Sequence, residues 1–341
     1  MKRLTLPTLV LVLGLALVIR TTHGAEIGHY GPGLPNIRDF VVPQPGFYGV
    51  LYNYFYTSDR LNDGNGDEVN SVTLNPRRRP SVTLGVDVDL DLYVLAPAFI
   101  WVSPWKIAGA KYGAFILPSF ANASVGASLA TVTGRGGTAE TSTFAPGDLF
   151  VQPLWLGWTL PHWDFAFGYG FYAPVGKYDT GTVTLPGGAT VTAESAENIG
   201  LGFWTHQLQG VVTWYPWAHK ATAVLAALTY EIHGDKQDFD LTPGQNLTLN
   251  WGISQFLPLR KDQHLLLEVG LTGYSSWQIT DDSGSDARNP SVRDQVHAVG
   301  GQLGLTYVPW VASLNVHYFA EFAAQDRFQG QVFGLSVAKK F

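Results

Sequence analysis

The 341-residue sequence has no cysteine and a single methionine, and only 14% of its residues are charged. The missing cysteines exclude a disulfide framework, a thiolate metal centre and a cysteine nucleophile. The low charge sets the chain apart from soluble domains, where roughly 25% of residues are Asp, Glu, Lys or Arg. Past its N-terminal leader the chain has no run of about 20 apolar residues, so no helical membrane span is expected. A formal charge of −6 argues against nucleic acid as a partner.

Aromatics are abundant: 11 Trp, 15 Tyr and 19 Phe. The N-terminus reads as a secretory leader. Lys2 and Arg3 precede an apolar stretch from Leu4 to Ile19, a short polar segment follows, and Gly24 offers a small residue for cleavage. The rival reading is an N-terminal anchor helix, for which the apolar stretch is short. Cleavage after Gly24 removes Lys2, Arg3 and Arg20 and takes the formal charge from −6 to −9.

The strongest pattern lies at 81–102, where every even position from Val82 to Val102 is apolar and Asp87, Asp89 and Asp91 occupy odd positions. Period two means a strand, because successive side chains point to opposite faces. The strand exceeds the five or six residues usual in soluble sheets. A greasy face opposed to a polar one is what a transmembrane barrel needs, with lipid outside and a polar lumen inside. Similar segments recur at 46–57, 107–123, 145–160, 162–175, 199–215, 219–233, 243–257, 262–280, 292–308, 310–324 and 328–341, twelve in all. The faces of 107–123 and 145–160 are not assignable from alternation.

Connections alternate in length. Tight turns at 104–105, 160–162, 215–218, 257–262 and 308–310 alternate with longer segments at 58–80, 124–144, 176–198, 234–242 and 281–291. Outer-membrane barrels have short periplasmic turns and longer extracellular loops, so both ends of the strand array fall on the periplasmic side. Trp105, Trp163, Trp214, Trp217 and Trp310 flank the tight turns, as in an interfacial girdle. The expected fold is therefore all-β: an antiparallel transmembrane β-barrel of 12 strands over 46–341, after a signal peptide (1–24) and an N-terminal segment (25–45).

Candidate functional residues follow from this register. Asp87, Asp89, Asp91, Glu231, His233, Glu268, His317 and Glu321 oppose apolar stripes and are expected to line the lumen. The three aspartates, about 6.5 to 7 Å apart along one face, read either as a cation-favouring field or as a solvated wall paired with Arg77, Arg78 and Arg79. Segment 25–45 is rich in Gly and Pro yet carries Tyr30, Leu34, Ile37 and Phe40. It reads either as a plug at the periplasmic end of the lumen or as a disordered lead-in. Asp63–Glu68 begins like a calcium loop but lacks its invariant Gly and its final Glu, so a mobile extracellular loop is the better reading. The histidines His206, His233, His264 and His317 show no metal-ligand spacing, and no glycine-flanked nucleophile stands near a histidine. No metal, cofactor or catalytic residue is expected.

The segments Gly28–Gly33, Pro43–Tyr48, Gly113–Pro118, Ala145–Leu149 and Phe171–Tyr178 resemble the outer-membrane family named for the meta-pathway of phenol degradation. The close on Phe341 behind Phe333, Leu335 and Val337 resembles the terminal signature of bacterial outer-membrane proteins in general, with Lys339 departing from the usual apolar step. The family match is a diffuse set of Gly, Pro and aromatic positions running from about Gly28 to the C-terminus. It implies a channel of the bacterial outer membrane for passive uptake of small hydrophobic or aromatic compounds, with membrane lipid and those solutes as partners. A structural or adhesive barrel and a barrel hydrolase remain the rival readings. Substrate, gating and oligomeric state stay open.

Overall fold

The computed structural model describes residues 27–74, 82–131, 136–184, 190–195, 197–287 and 289–341. The leader at 1–24 and the arginines at 77–79 lie outside these residues. In chain order the strands are β1 (Gly46–Ser58), β2 (Ser71–Leu74), β3 (Val82–Ile107), β4 (Ala110–Leu117), β5 (Phe120–Thr131) and β6 (Gly136–Pro146). They continue as β7 (Leu149–Thr159), β8 (Trp163–Ala173), β9 (Thr180–Thr184), β10 (Thr190–Glu194), β11 (Thr205–Trp214) and β12 (Thr222–His233). The last are β13 (Asn246–Pro258), β14 (Leu265–Gln278), β15 (Gln295–Tyr307), β16 (Ala312–Gln325) and β17 (Gln331–Lys340).

β4 and β5 are two halves of one long strand, as are β6 and β7. Counted so, twelve antiparallel strands form the wall, with β2 and the hairpin β9–β10 as additions. The wall closes where β1 pairs with both β17 and β3. Closure leaves no edge in the lipid layer, where an unpaired backbone group costs several kcal/mol. The turn from β3 to β4 takes two residues, Ala108 and Gly109, both at positive φ (47° and 77°), the conformation that matches a hairpin's twist. The apolar outward residues form the lipid-facing belt, among them Leu51, Phe99, Leu228, Ile253, Leu271, Leu303 and Val337. At the short-turn end Trp105, Trp217 and Trp310 are among the most exposed large side chains. Lys339, the departure at the C-terminal signature, holds its ammonium over the rings of Trp310 (6.0 Å) and Phe341 (5.6 Å), a snorkelling position at the interface.

Two expectations need correction. The stretch 124–144 is not a loop: β5 runs on to Thr131 and β6 starts at Gly136, paired from Phe120↔Pro146 to Ala130↔Gly136. With β2 and the upper part of β3 they extend the wall beyond Ser58, where β1 ends. Its sequence is rich in Ser, Thr, Ala and Gly, because no lipid demands an apolar face at that height, and so the alternation fades. Likewise 176–198 contains the hairpin β9–β10.

The second correction concerns Asp87, Asp89 and Asp91, which do not line the lumen. Asp91 pairs with Thr57 and Tyr93 with Phe55, whereas Leu92 pairs with Tyr56, whose hydroxyl donates to the interior Glu321. The even positions of β3 therefore face inward and the aspartates outward and exposed. The cost of a charge in lipid is avoided, since this part of β3 reaches the rim of the wall and beyond, where the surroundings are water. Lower down, the inward residues Ala96, Ala98 and Val102 are apolar for another reason: they pack on chain inside the barrel.

Candidate functional site

That interior chain is the N-terminal segment. From Ile27 to Gln44 it runs along the lumen from the long-loop end to the short-turn end, held at successive heights. At the top, His29 lies with Nε2 2.9 Å from Asp148 Oδ2 and Nδ1 2.7 Å from Thr205 Oγ1. Its ring stacks on Tyr172 (4.7 Å, 23°) and meets Phe203 edge-on (4.8 Å). Below, the backbone N–H of Tyr30 donates to Glu231 (2.8 Å), and the Tyr30 hydroxyl accepts from Asn250 (2.9 Å). Leu34 packs against Val50, Tyr52, Ala96 and Ala98.

Midway, Asn36 donates to Ser336 (2.8 Å) and Asp39 (2.7 Å) and lies 3.2 Å from His317 Nδ1. The N–H of Ile37 donates to Gln302 (2.9 Å). Arg38 pairs with Glu268 (2.8 Å), donates to the carbonyls of Lys220 and Ala221, and covers the Phe256 ring at 3.9 Å. Asp39 accepts from Tyr52 (2.9 Å). Ile37, Phe40 and Val42 are buried with Val102, Trp155, Ala166, Val211 and Leu225. Lys111 donates to the Val42 carbonyl (2.9 Å) near the short-turn end. The fit is close enough that a methyl group on a wall glycine would make the segment shift: a Cβ on Gly270 would stand 2.6 Å from the end of the Ile37 side chain, and one on Gly157 2.5 Å from Val42.

Glu231, His233, Glu268, His317 and Glu321 are buried on the inner side of the wall. Glu231, Glu268 and His317 meet the N-terminal segment directly. His233 Nδ1 reaches Thr205 (2.7 Å), and Glu321 accepts from Tyr56, Tyr274 and the Gly330 N–H (2.8 to 2.9 Å). Beside Glu321 the partly buried Arg327 pairs with the buried Asp294 (2.7 Å). Tyr30, Leu34, Ile37 and Phe40 all lie within the lumen, whereas the aspartates of β3 lie outside it.

Alternation could not reveal the anchors His29, Asn36, Arg38, Asp39, Asp148 and Gln302. One signal was available: Arg38 and Asp39 are adjacent charges in an otherwise apolar, Pro-rich stretch, and in an interior such charges need partners. Among the described residues no group of His, Asp or Glu could hold a metal. In Asp63–Glu68 the Asp63 carboxylate instead accepts the N–H groups of Asn65 (2.8 Å) and Asp67 (3.0 Å).

Asp148 sits between β6 and β7 in the loop layer. Burial alone would raise its pKa, but bonds from His29 and the N–H groups of Leu201 (2.8 Å) and Gly176 (2.9 Å) outweigh it and hold the carboxyl below its ordinary range.

Among solved structures, an outer membrane channel from Pseudomonas putida F1 aligns at a TM-score of 0.61 and 16% identity, over 92% of this chain and 100% of that one. The likeness is one of fold. The beta domain of the Bordetella autotransporter Brka aligns at 0.46 and 11% identity over 86% of this chain and 99% of that one. The Pseudomonas putida toluene transporter TodX aligns at 0.42 and 11% identity, with 94% and 96% covered. Comparison with curated proteins returns no match. The sequence profile for the MetA-pathway of phenol degradation matches residues 58–337, nearly the whole barrel. A closed twelve-stranded wall with a lipid-facing belt is an outer-membrane barrel, and with that profile match the chain belongs to the MetA-pathway of phenol degradation family of bacterial outer-membrane proteins.

Proposed function

We propose that this barrel is a channel for passive uptake of small hydrophobic or aromatic compounds, with residues 1–24 removed on export and the N-terminal segment as its plug. The observation that carries the reading is the threaded segment: hydrogen bonds grip it at several heights, and apolar side chains fill the space between. A structural wall has no need of a removable core. Family membership supports a role beside phenol breakdown, and the Pseudomonas putida F1 relative of like fold is described as a channel. Twelve strands lie between the roughly 8 that side chains alone can fill and the 16 or more that leave an open aqueous pore.

The lumen offers a migrating arene two surfaces. Polar groups such as Gln302 and Asn250 satisfy the segment's backbone, while Ile37, Phe40, Trp155 and Val102 supply apolar contact. Deleting Ala25–Pro45 is expected to raise single-channel conductance and uptake of an aromatic probe in liposomes. Unchanged permeability in a correctly folded deletion would sink the plug and leave the segment as an internal brace.

Two observations favour other readings. Among the described residues the extension built from β2, β3, β5 and β6 leaves β6 with one paired edge, which suits an adhesive barrel; absence of conductance in both full-length and deleted protein would favour it. Asp148, His29 and Thr205 form a carboxylate–imidazole–hydroxyl line, as a hydrolase would use. Thr205 is wholly buried, and His29, stacked on Tyr172 and edge-on to Phe203, fills the space beside it, which leaves no approach for an ester. The barrel is therefore read as non-enzymatic, and labelling of Thr205 by a fluorophosphonate would overturn that.

A further inference from the structure

The surroundings of His29 are those of a small-molecule site with a tethered guest. Its imidazole is a planar aromatic ring enclosed by other rings: Tyr172 stacked at 4.7 Å, Phe203 edge-on at 4.8 Å, and Phe150 behind Tyr172 at 4.5 Å. Two buried polar groups take its nitrogens, the Asp148 carboxylate and the Thr205 hydroxyl. A third, His233 Nε2, is buried beside them with no hydrogen-bond partner among the described residues.

The proton pattern follows from the acceptors. Asp148 accepts from His29 Nε2–H, and the Thr205 hydroxyl links His29 Nδ1 to His233 Nδ1. The His29 side chain is 4% exposed, yet the chain on either side of it is open: Ile27 and Gly31 are both exposed. The guest belongs to the N-terminal segment and not to the wall, and the segment is tied one residue on by the bonds of Tyr30 to Glu231 and Asn250.

The geometry points to a binding site, now occupied by His29, for a planar arene bearing a hydroxyl group, whose entry displaces His29 and frees the top of the N-terminal segment. The cage favours a hydroxylated ring over a plain hydrocarbon because Asp148 loses a donor when His29 leaves. A phenolic O–H restores that bond, whereas toluene leaves a buried carboxylate short of one partner. A saturated ring of the same size keeps the hydroxyl but lacks the flat faces that stack on Tyr172. The inference rests on the uptake reading above, since it makes the cage a station of that route.

The test uses the full-length barrel in detergent with phenol as probe, read by calorimetry. In His29→Gly the tethered competitor is gone, and phenol is expected to bind saturably, at least about tenfold tighter than in the unaltered protein. Imidazole should bind this variant too, and toluene and cyclohexanol at least about tenfold more weakly than phenol. Adding Tyr172→Leu or Asp148→Asn should abolish the gain. Heat-modifiable migration on a gel checks that each barrel is folded, and His29→Ala serves if the glycine variant is not. No saturable phenol binding in a folded His29 variant overturns the inference, as does equal binding of cyclohexanol. Phenol binding without any rise in permeability on deleting Ala25–Pro45 would sink the uptake reading and leave the cage standing. A rise in permeability with no phenol binding does the reverse.

Discussion

Asp148 takes the His29 ring and two backbone N–H groups from separate loops at once, so its charge fastens the segment to the loop layer. Its folded pKa lies below the ordinary value of 3.8. A carboxyl depressed in the folded state contributes stability above its unfolded pKa and loses it as the pH falls through the folded value. The contribution should hold in full between pH 5 and 8, begin to fall as the pH drops below about 3.8, and vanish only below the still lower folded value. Acid titration followed by tryptophan fluorescence checks this, with Asp148→Asn expected to lose that acid-dependent component. A second residue-scale outcome concerns Gly270, where a Cβ would press on Ile37. Gly270→Ala is expected to cost about 1–3 kcal/mol in urea unfolding. The double variant with Ile37→Ala should recover part of that, because the crowding atoms are gone. No coupling between the two sites would mean that the segment does not dock there in solution.

At the scale of elements, β3 serves three environments along its 26 residues. Its lower outer face meets lipid with Phe99 and Trp101, its inner face meets the threaded segment with Ala96, Ala98 and Val102, and its upper outer face carries the three aspartates at and above the rim. The replacement of Asp87, Asp89 and Asp91 by Asn should therefore leave the cation-to-anion permeability ratio of the segment-deleted barrel nearly unchanged. Glu268→Gln in the same background should shift that ratio toward anions, because Glu268 faces the lumen and loses its Arg38 partner when the segment is removed. Reversal potentials in a salt gradient decide between them. A large effect from the aspartates with none from Glu268 would put the register off by one residue.

On the scale of the whole molecule, the alternation of tight turns and long connections fixes which rim meets the outside. A cysteine placed at Asn65 should react with an impermeant maleimide on intact cells, and one at Trp217 only after the cells are broken. The reverse pattern would invert the barrel. The N-terminal segment adds an asymmetry that strand counting does not foresee. The wall begins and ends at the short-turn rim, yet the first described residues, near Ile27, lie at the long-loop rim. The segment spans the whole lumen rather than capping its periplasmic end, so any solute path must run beside it or follow its displacement.

The sequence by itself determined the barrel: strand number, connection rhythm, girdle tryptophans and the inward side of β12, β13, β14 and β16. These are local properties, because lipid on one face and a polar interior on the other impose period two wherever a strand crosses the membrane. Only the tertiary structure decided the register of β3, the extension above the rim and the identity of the lumen contacts. At β3 both faces are apolar in the lower half, one for lipid and one for the threaded segment, so alternation could not say which was which. Above the rim there is no lipid to enforce a pattern. The cage around His29 joins the N-terminal segment to the β6–β7 junction, β8, the loop residue Phe203, and the ends of β11 and β12. No spacing in the sequence encodes such a meeting, because closing the barrel is what brings those chain ends together.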